Sequence, residues 1–219
     1  MVLCLVDTNI NKSWYTGKFT QYWREFHPMS DNIGEYKMEL TKKEKTTLLD
    51  IVKKTIAAKV NNKDMPKFTV DSETLKEKSG AFVTLKKRGH LRGCIGYIKA
   101  FKPLWETVQE MAVAAAFHDP RFPLLKPDEI SDLTFEISVL SPLRRIKDIN
   151  EIEVGKHGLY IIRGYNSGLL LPQVASEYAW DREFFLKETC SKAGLPPQAW
   201  LDKETEIYIF SADYFGDAD

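Results

Sequence analysis

The sequence contains few of the residues from which metal centres and disulfide frameworks are built. It has three cysteines and four histidines in 219 residues. The cysteines, Cys4, Cys94 and Cys190, are odd in number and far apart. Their spacing therefore predicts neither a disulfide framework nor a zinc cluster. No metal site and no particular cofactor is indicated, and reduced thiols in a cytoplasmic protein are the simplest expectation.

Long apolar runs and an excess of one charge are also missing. The longest apolar run is too short for a transmembrane helix, so we expect no membrane span. Lysine plus arginine equals aspartate plus glutamate, at 31 each. The net charge therefore gives no reason to expect a nucleic-acid partner. The phosphate-loop, dinucleotide-binding and zinc-protease signatures are absent from the sequence as well.

The residues that are present predict a folded protein with three main helices. The composition is 43% hydrophobic and 12% aromatic, which is typical of a globular chain. Thr41 and Glu44 form a capping box that begins a helix, and its apolar stripe ends at Val60. A second helix is expected from Pro103 to Phe117. A third is expected from about Asp181 to Ala193, ended by Gly194.

The strands are predicted from alternating or β-branched segments between turn residues. They form no regular strand–helix–strand alternation. We therefore expect an α+β fold with largely antiparallel sheets and packed helices. The expected strands are a hairpin of Ala81–Leu85 with Leu91–Ile98, a strand at Leu133–Val139, a hairpin of Leu159–Arg163 with Leu169–Leu171, and a last strand at Ile207–Phe210.

The segment Leu91–Gly96, with the sequence LRGCIG, is the strongest functional candidate. Two glycines inside a strand indicate a bulge, a positive φ, or a close approach to the backbone. One interpretation is an anion-binding nest at Gly93 and Gly96, with Arg92 as a bidentate donor for carboxylate or phosphate. The other interpretation is a glycine bulge in a buried hairpin whose basic turn is solvated.

Cys94 also has two interpretations. The neighbouring Arg92 and the glycine backbone can lower the pKa of a thiol and make it a nucleophile. Free cysteine is also among the most buried residue types, and the flanking Leu91, Ile95 and Ile98 are typical of a core strand. Spacing alone favours packing.

Other candidates for acid–base or anion-binding roles lie outside this segment. His118, Asp119 and Arg121 follow the second helix, where a helix stop also explains them. Glu136 faces away from the apolar side of its strand, towards solvent or a cleft. His157 lies between glycines at a strand entrance, where tight-turn geometry is the simpler explanation.

Several segments together resemble one family. LRGCIG is similar to the hallmark hexapeptide of the AMMECR family, named for a chromosomal region linked to Alport syndrome, midface hypoplasia and elliptocytosis. The resemblance covers about Met38 to Phe215. The other matching segments, in order, are Ala115–Pro123, Phe135–Pro142, Val154–Leu159, Gly168–Ala175 and Cys190–Leu195.

The resemblance implies a compact α+β module of two unequal lobes with a cleft between them. It also implies an intracellular location and an association with Memo-like and radical S-adenosylmethionine proteins. We expect residues 38–219 to form this domain, with two α+β subdomains. Residues 1–37 are expected to be an N-terminal extension. The family carries no established biochemical activity.

Three functions are consistent with these residues. The first is a binding or accessory module in which Arg92, the backbone of Gly93, Cys94 and Gly96, and Arg121 hold a small anionic molecule or a partner. The second is an enzyme with Cys94 as nucleophile, a base at His118 or His157, and an orienting carboxylate at Glu136 or Asp119. The third, nucleic-acid binding through the basic turn at residues 86–92, is weaker because the net charge is zero.

Overall fold

The first lobe is a five-stranded sheet with helices against one of its faces. The structure, a computed structural model, describes residues 5–6 and 39–217. The strand order is β1-β3-β2-β4-β9, and all neighbours are antiparallel except β1 and β3. The elements of this lobe are β1 (Leu5–Val6), α1 (Lys42–Val60), α2 (Glu73–Lys76), β2 (Ala81–Lys87), β3 (His90–Tyr97), α3 (Leu104–Phe117), β4 (Leu133–Leu140) and β9 (Ala212–Gly216).

The second lobe is a four-stranded antiparallel sheet with the strand order β5-β8-β6-β7. Two helices follow the β6–β7 hairpin. The chain enters this lobe after β4 and returns to the first sheet after β8, with only Ser211 between β8 and β9. Its elements are β5 (Arg144–Ile146), β6 (Gly158–Arg163), β7 (Asn166–Leu170), α4 (Pro172–Glu177), α5 (Arg182–Lys192) and β8 (Glu206–Phe210).

Local signals account for most of these elements. Thr41 and Glu44 form the expected capping box at the start of α1. The β2–β3 hairpin turns at Arg88 and Gly89, whose φ angles are +50° and +78°, as a type I′ turn requires. Asp181 caps α5 by accepting a hydrogen bond from the Phe184 amide at 2.7 Å. The predicted α+β class with largely antiparallel sheets is confirmed.

Each lobe has a hydrophobic core, and the two cores meet at a surface that we call the lobe seam. One face of the first sheet packs on α1 and α3 through residues such as Val83, Leu85 and Ile137. On the opposite face, Phe82, Cys94 and Leu140 join the core of the second lobe. The amide of Gln173 in α4 donates to the Ser138 hydroxyl of β4 at 3.1 Å. The second lobe therefore covers the other face of the first sheet.

Five short elements were not predicted: β1, α2, β5, α4 and β9. The expected last strand is present as β8, but β9 follows it and joins the other sheet. Apart from Leu5–Val6, the predicted extension at residues 1–37 lies outside the described residues. The boundary of the domain at residue 38 stays a prediction.

Candidate functional site

The two glycines of the LRGCIG segment are explained by close approach. A β-carbon on Gly93 would lie 2.1 Å from the carbonyl oxygen of Ala115 in α3. One on Gly96 would lie 2.2 Å from the ring of Phe82. Neither glycine has a positive φ. A register shift in the β2–β3 pairing lies beside Gly93, between Leu85 and Lys86. Of the three sequence explanations, the structure thus shows the close approach and a neighbouring bulge.

Arg92 holds a carboxylate of its own chain. Its Nε and Nη2 donate to the two carboxylate oxygens of Glu129, each at 3.0 Å, and Nη2 also donates to the carbonyl of Pro123 at 2.9 Å. The Arg92 side chain is only 8% exposed. Hydrogen bonds from Arg92 are the main reason that the pKa of Glu129 falls to about 2. The bidentate donor that the sequence predicts is present, and Glu129 occupies it.

Asp119 and Arg121 complete the outer edge of β3 at Cys94. The Cys94 amide donates to Asp119 Oδ2 at 2.9 Å, and Arg121 Nη2 donates to the Cys94 carbonyl at 3.3 Å. Arg121 also binds both oxygens of Asp119, at 2.9 and 2.6 Å. The pair therefore supplies Cys94 with the acceptor and the donor that a neighbouring strand would supply, just before the pairing of β3 with β1 begins at Ile95.

Asp119 remains ionised because of these bonds. Burial alone would raise the pKa of this carboxyl, since only 1% of its side chain is exposed. The hydrogen bonds from Arg121 and from the Cys94 amide outweigh the burial, and the pKa is lowered. The backbone amide of Cys94, close to Gly93 and Gly96, thus donates to a carboxylate of the same chain, that of Asp119. Hydrogen bonds thus join the LRGCIG segment to the segment that follows α3.

The sulfur of Cys94 lies in the interior. Cys94 has no exposed surface, and its sulfur accepts a hydrogen bond from the Thr84 hydroxyl at 3.1 Å. The same sulfur is disulfide-bonded, so the expectation of reduced thiols from the sequence is wrong for Cys94. The structure therefore does not present a free thiol at this position.

Glu136 lies on the same face of the first sheet as Cys94. Thr84 of β2 is paired with Cys94 on one side and with Glu136 on the other. Two interstrand spacings place the α-carbons of Cys94 and Glu136 roughly 10 Å apart. Glu136 accepts a hydrogen bond from Lys86 Nζ at 2.5 Å. Its side chain is bound by Lys86 within the sheet.

The two candidate histidines belong to different lobes. His118 is the exposed C-cap of α3, and its backbone amide donates to Ala114 at 2.8 Å. His157 is buried in the turn before β6, where its Nδ1 accepts a hydrogen bond from the Glu153 amide at 3.1 Å. The roles of Cys94, His118, Glu136 and His157 in catalysis stay predictions.

The basic turn between β2 and β3 is neutralised by acidic side chains. Lys86 pairs with Glu136, Lys87 with Glu129 at 3.1 Å, and Arg88 with Asp132 at 2.8 Å. A surface that binds nucleic acid presents its cations to phosphates. These contacts reduce the positive charge available at the turn.

Lys192 is a candidate that sequence reasoning missed. It lies in the last turn of α5, where a lysine is expected from the helix dipole alone, so the sequence carries no distinguishing signal. Burial lowers its pKa to about 8, with a contribution from the charge of Arg121 that Asp119 partly offsets. The charges of Arg121 and Asp119 in the first lobe thus act on the amine of Lys192 in the second. No ion pair involves Lys192 within the described residues.

Arg121 and Lys192 are both partly accessible at the edge of the lobe seam. The Arg121 side chain is 27% exposed, and Lys192 is half-buried. Within residues 5–6 and 39–217, no group of three histidine, cysteine or acidic side chains is arranged to hold a metal ion. No helix in the same part of the chain is long and apolar enough to cross a membrane.

Comparisons with known proteins match most of the chain to one family. The family model AMMECR1 matches residues 49–215. Protein NEQ441 of Nanoarchaeum equitans is 42% identical over 77% of this chain and 97% of its own length. A protein of Methanothermobacter thermautotrophicus is 48% identical over 65% of this chain and 78% of its own.

A solved structure supports the same conclusion. The crystal structure of the uncharacterized protein PH0010 from Pyrococcus horikoshii matches with a TM-score of 0.74 and 40% sequence identity. The match covers 78% of this chain and 89% of that protein. The chain therefore belongs to the AMMECR1 family.

Proposed function

We propose that the protein is a binding module for a small anionic ligand, held by Arg121 and Lys192 at the edge of the lobe seam. The observation that carries the proposal is the position of Lys192. Lys192 belongs to the second lobe, and the charge of Arg121 in the first lobe acts on its amine. Sites for small molecules are common at such boundaries between structural units.

The charges around Lys192 favour an anion. Partial burial and the neighbouring Arg121 both act against its protonated form. Asp119 offsets this only in part, because its oxygens already accept hydrogen bonds from Arg121 and from the Cys94 amide. A bound carboxylate or phosphate would supply the negative charge that these two cations share.

In this proposal the LRGCIG segment positions the ligand-binding side chains and does not itself contact the ligand. Nε and Nη2 of Arg92 donate to Glu129 and Pro123, and among the described residues its buried Nη1 has no hydrogen-bond partner. Gly93 admits the backbone of α3, and the backbone of Cys94 positions Asp119 and Arg121. Of the binding residues suggested by the sequence, Arg121 is the one whose side chain we assign to the ligand.

Isothermal titration calorimetry at low ionic strength tests the proposal, with inorganic phosphate, pyrophosphate and citrate as probes. We expect one site per chain for at least one probe, and a Lys192→Gln variant to bind at least about tenfold more weakly, a loss of about 1.4 kcal/mol. Lys187→Gln is the matched control, since Lys187 lies on the same helix and pairs with Glu183. Equal binding by both variants, or no binding of any probe by the wild type, would refute the proposal.

The location and the protein partners are proposals that rest on the family resemblance. We propose a cytoplasmic location, and Memo-like or radical S-adenosylmethionine proteins as partners of the module. Cell fractionation tests the first. Purified partner proteins on a sensor surface test the second, and saturable binding that survives high salt is the expected result.

A further inference from the structure

An aromatic cluster of Tyr178, Trp180 and Phe184 lies on the surface of the second lobe, where α4 joins α5. The centroids of the Tyr178 and Trp180 rings are 5.4 Å apart and the rings are stacked, while those of Trp180 and Phe184 are 5.2 Å apart. Trp180 packs against the core of the second lobe. Tyr178 and Phe184 remain 43% and 44% exposed. Single exposed apolar side chains are common, but a contiguous group of them is typical of a binding surface.

The backbone holds two of these rings in place. Ala179, between Tyr178 and Trp180, has a φ of +51°. The amide of Trp180 donates to the carbonyl of Ala175 at 2.9 Å. The amide of Ala179 donates to the carbonyl of Ser176 at 3.2 Å. Both bonds belong to a Schellman motif, which here has alanine where glycine is usual, so the stacked rings are fixed before a ligand arrives.

Acidic side chains outnumber basic ones around the aromatic cluster. Between residues 176 and 188 there are four carboxylates and two cations: Glu177, Asp181, Glu183, Glu188, Arg182 and Lys187. Arg182 donates to the Ile152 carbonyl at 3.1 Å and to the Asn150 side chain at 2.7 Å. Lys187 pairs with Glu183 at 3.7 Å. Both cations are thus bonded within the chain, and this part of the surface carries a negative charge.

Two of the carboxylates lack a cation. Glu177 and Glu188 have no ion pair within the described residues. Glu188 follows Phe184 by four positions in α5, which places the two side chains on the same face of the helix. Glu177 is the last residue of α4, directly before Tyr178. The face of an aromatic ring is also negative, so the rings and the carboxylates favour the same kind of ligand, a cation.

We propose that the aromatic cluster binds an arginine-bearing basic segment of a partner protein. A guanidinium stacks on an exposed ring with its planar face and bonds a carboxylate with its edge, which an ammonium group cannot do. Tyrosine, tryptophan, phenylalanine and arginine are also the residues enriched in protein interfaces. The cluster lies at the start of α5, whereas Lys192 lies at its end. The surface is therefore separate from the proposed anion site, and neither proposal depends on the other.

Isothermal titration calorimetry on the full chain tests this proposal with two matched peptides. One alternates glycine with arginine, and the other has citrulline, which keeps the length and shape but has no charge, in place of each arginine. We expect the arginine peptide to bind at one site, at least about tenfold more tightly than the citrulline peptide. Equal binding of the two peptides, or no saturable binding of either, would overturn the proposal.

Two variants locate the binding on the cluster. Phe184→Ser removes an exposed ring, and Glu188→Gln removes a charge while keeping the size of the side chain. Each is expected to weaken binding of the arginine peptide at least about threefold. Tyr165→Ser is the matched control and is expected to bind like the wild type, because Tyr165 is 85% exposed in the β6–β7 turn, away from these carboxylates in sequence.

Thermal unfolding shows whether each variant keeps the fold, and Glu188→Gln decides alone if Phe184→Ser does not fold. Wild-type affinity in both variants would place the peptide elsewhere on the chain and overturn the proposal. A hexaproline peptide covers the other ligand that exposed aromatic rings bind. Tighter binding of that neutral peptide than of the arginine peptide would also contradict the proposal, because the carboxylates would then have no part in recognition.

Discussion

Replacing Glu129 with glutamine removes the charge that Arg92 holds and keeps the size of the side chain. Both partners are largely buried, with 8% of the Arg92 side chain and 12% of the Glu129 side chain exposed. Removing one member of a buried pair leaves the other charge without compensation. We therefore expect Glu129→Gln to reduce the free energy of unfolding at pH 7 by about 2 to 3 kcal/mol.

The pH dependence gives the same magnitude independently. The pKa of Glu129 is lowered from 4.5 to about 2 in the folded protein. A carboxyl group with a lowered pKa stabilises the fold above its unfolded pKa, and this stability is lost as the pH falls through its folded pKa. The shift corresponds to at most about 3 kcal/mol, and we take about 2 because the group keeps some contact with water. The penalty of Glu129→Gln is therefore expected to shrink steadily between pH 5 and pH 2.

Urea unfolding followed by tryptophan fluorescence measures this difference at pH 7 and at pH 3. Glu73→Gln is the matched control, because Glu73 pairs with Lys76 at 2.8 Å while 86% of its side chain is exposed. An exposed pair of this kind contributes less than about 1 kcal/mol. Equal losses of stability in the two variants at pH 7, or a loss in Glu129→Gln that is unchanged at pH 3, would refute this prediction.

Three further outcomes follow from the packing and charge of the site. Gly93→Ala is expected to lower the free energy of unfolding, measured by thermal unfolding, by about 3 kcal/mol, because the new β-carbon would clash with the backbone of α3. Gly164→Ala is the control: Gly164 has open space around it and a φ of +59°, so the substitution costs only about 1 kcal/mol of backbone strain. Equal losses in the two variants would contradict this prediction. Asp119→Asn is expected to speed hydrogen exchange of the Cys94 amide, measured by NMR, and an unchanged rate would show that the bond carries no protection. The pKa of Lys192 is about 8 in the folded protein and higher in the unfolded chain, so between these two pKa values the unfolded chain binds more protons. The free energy of unfolding is therefore expected to rise by about 1 kcal/mol as the pH rises from 8 to 10. Lys192→Met is expected to abolish this rise, measured as the midpoint of urea unfolding at each pH. If the rise persists in the variant, another group causes it.

The parts of the fold that could be predicted are those set by neighbours in sequence. The capping box at Thr41, the helix end at Val60 and the hairpin of Ala81–Leu85 with Leu91–Ile98 depend on residues close in sequence, and the structure shows each of them. The strand β5 has only three residues, and β9 is separated from β8 by one residue. Neither strand therefore shows an alternating hydrophobic pattern that sets it apart in the sequence. Their pairing with distant strands decides their structure.

The site was only half predictable for the same reason. The sequence offered Arg92 as a bidentate donor for a ligand, whereas the structure pairs it with Glu129, which lies 37 positions away with nothing local to connect the two. Likewise, the close approach at Gly93 depends on Ala115, which the helix places there only in three dimensions. A lysine in the last turn of a helix, such as Lys192, is common in any protein, so its residue type and position do not mark it as a functional residue.

Side-chain NMR during a titration with inorganic phosphate tests the proposed anion site most directly. We propose that a ligand anion binds at Arg121 and Lys192, while Nε and Nη2 of Arg92 stay bonded to Glu129 and Pro123. We predict saturable shifts of the Arg121 Nε and Lys192 Cε signals with a single affinity, and a constant Arg92 Nε signal. A shift at Arg92 with Lys192 unchanged would contradict the account and return the ligand to the LRGCIG segment.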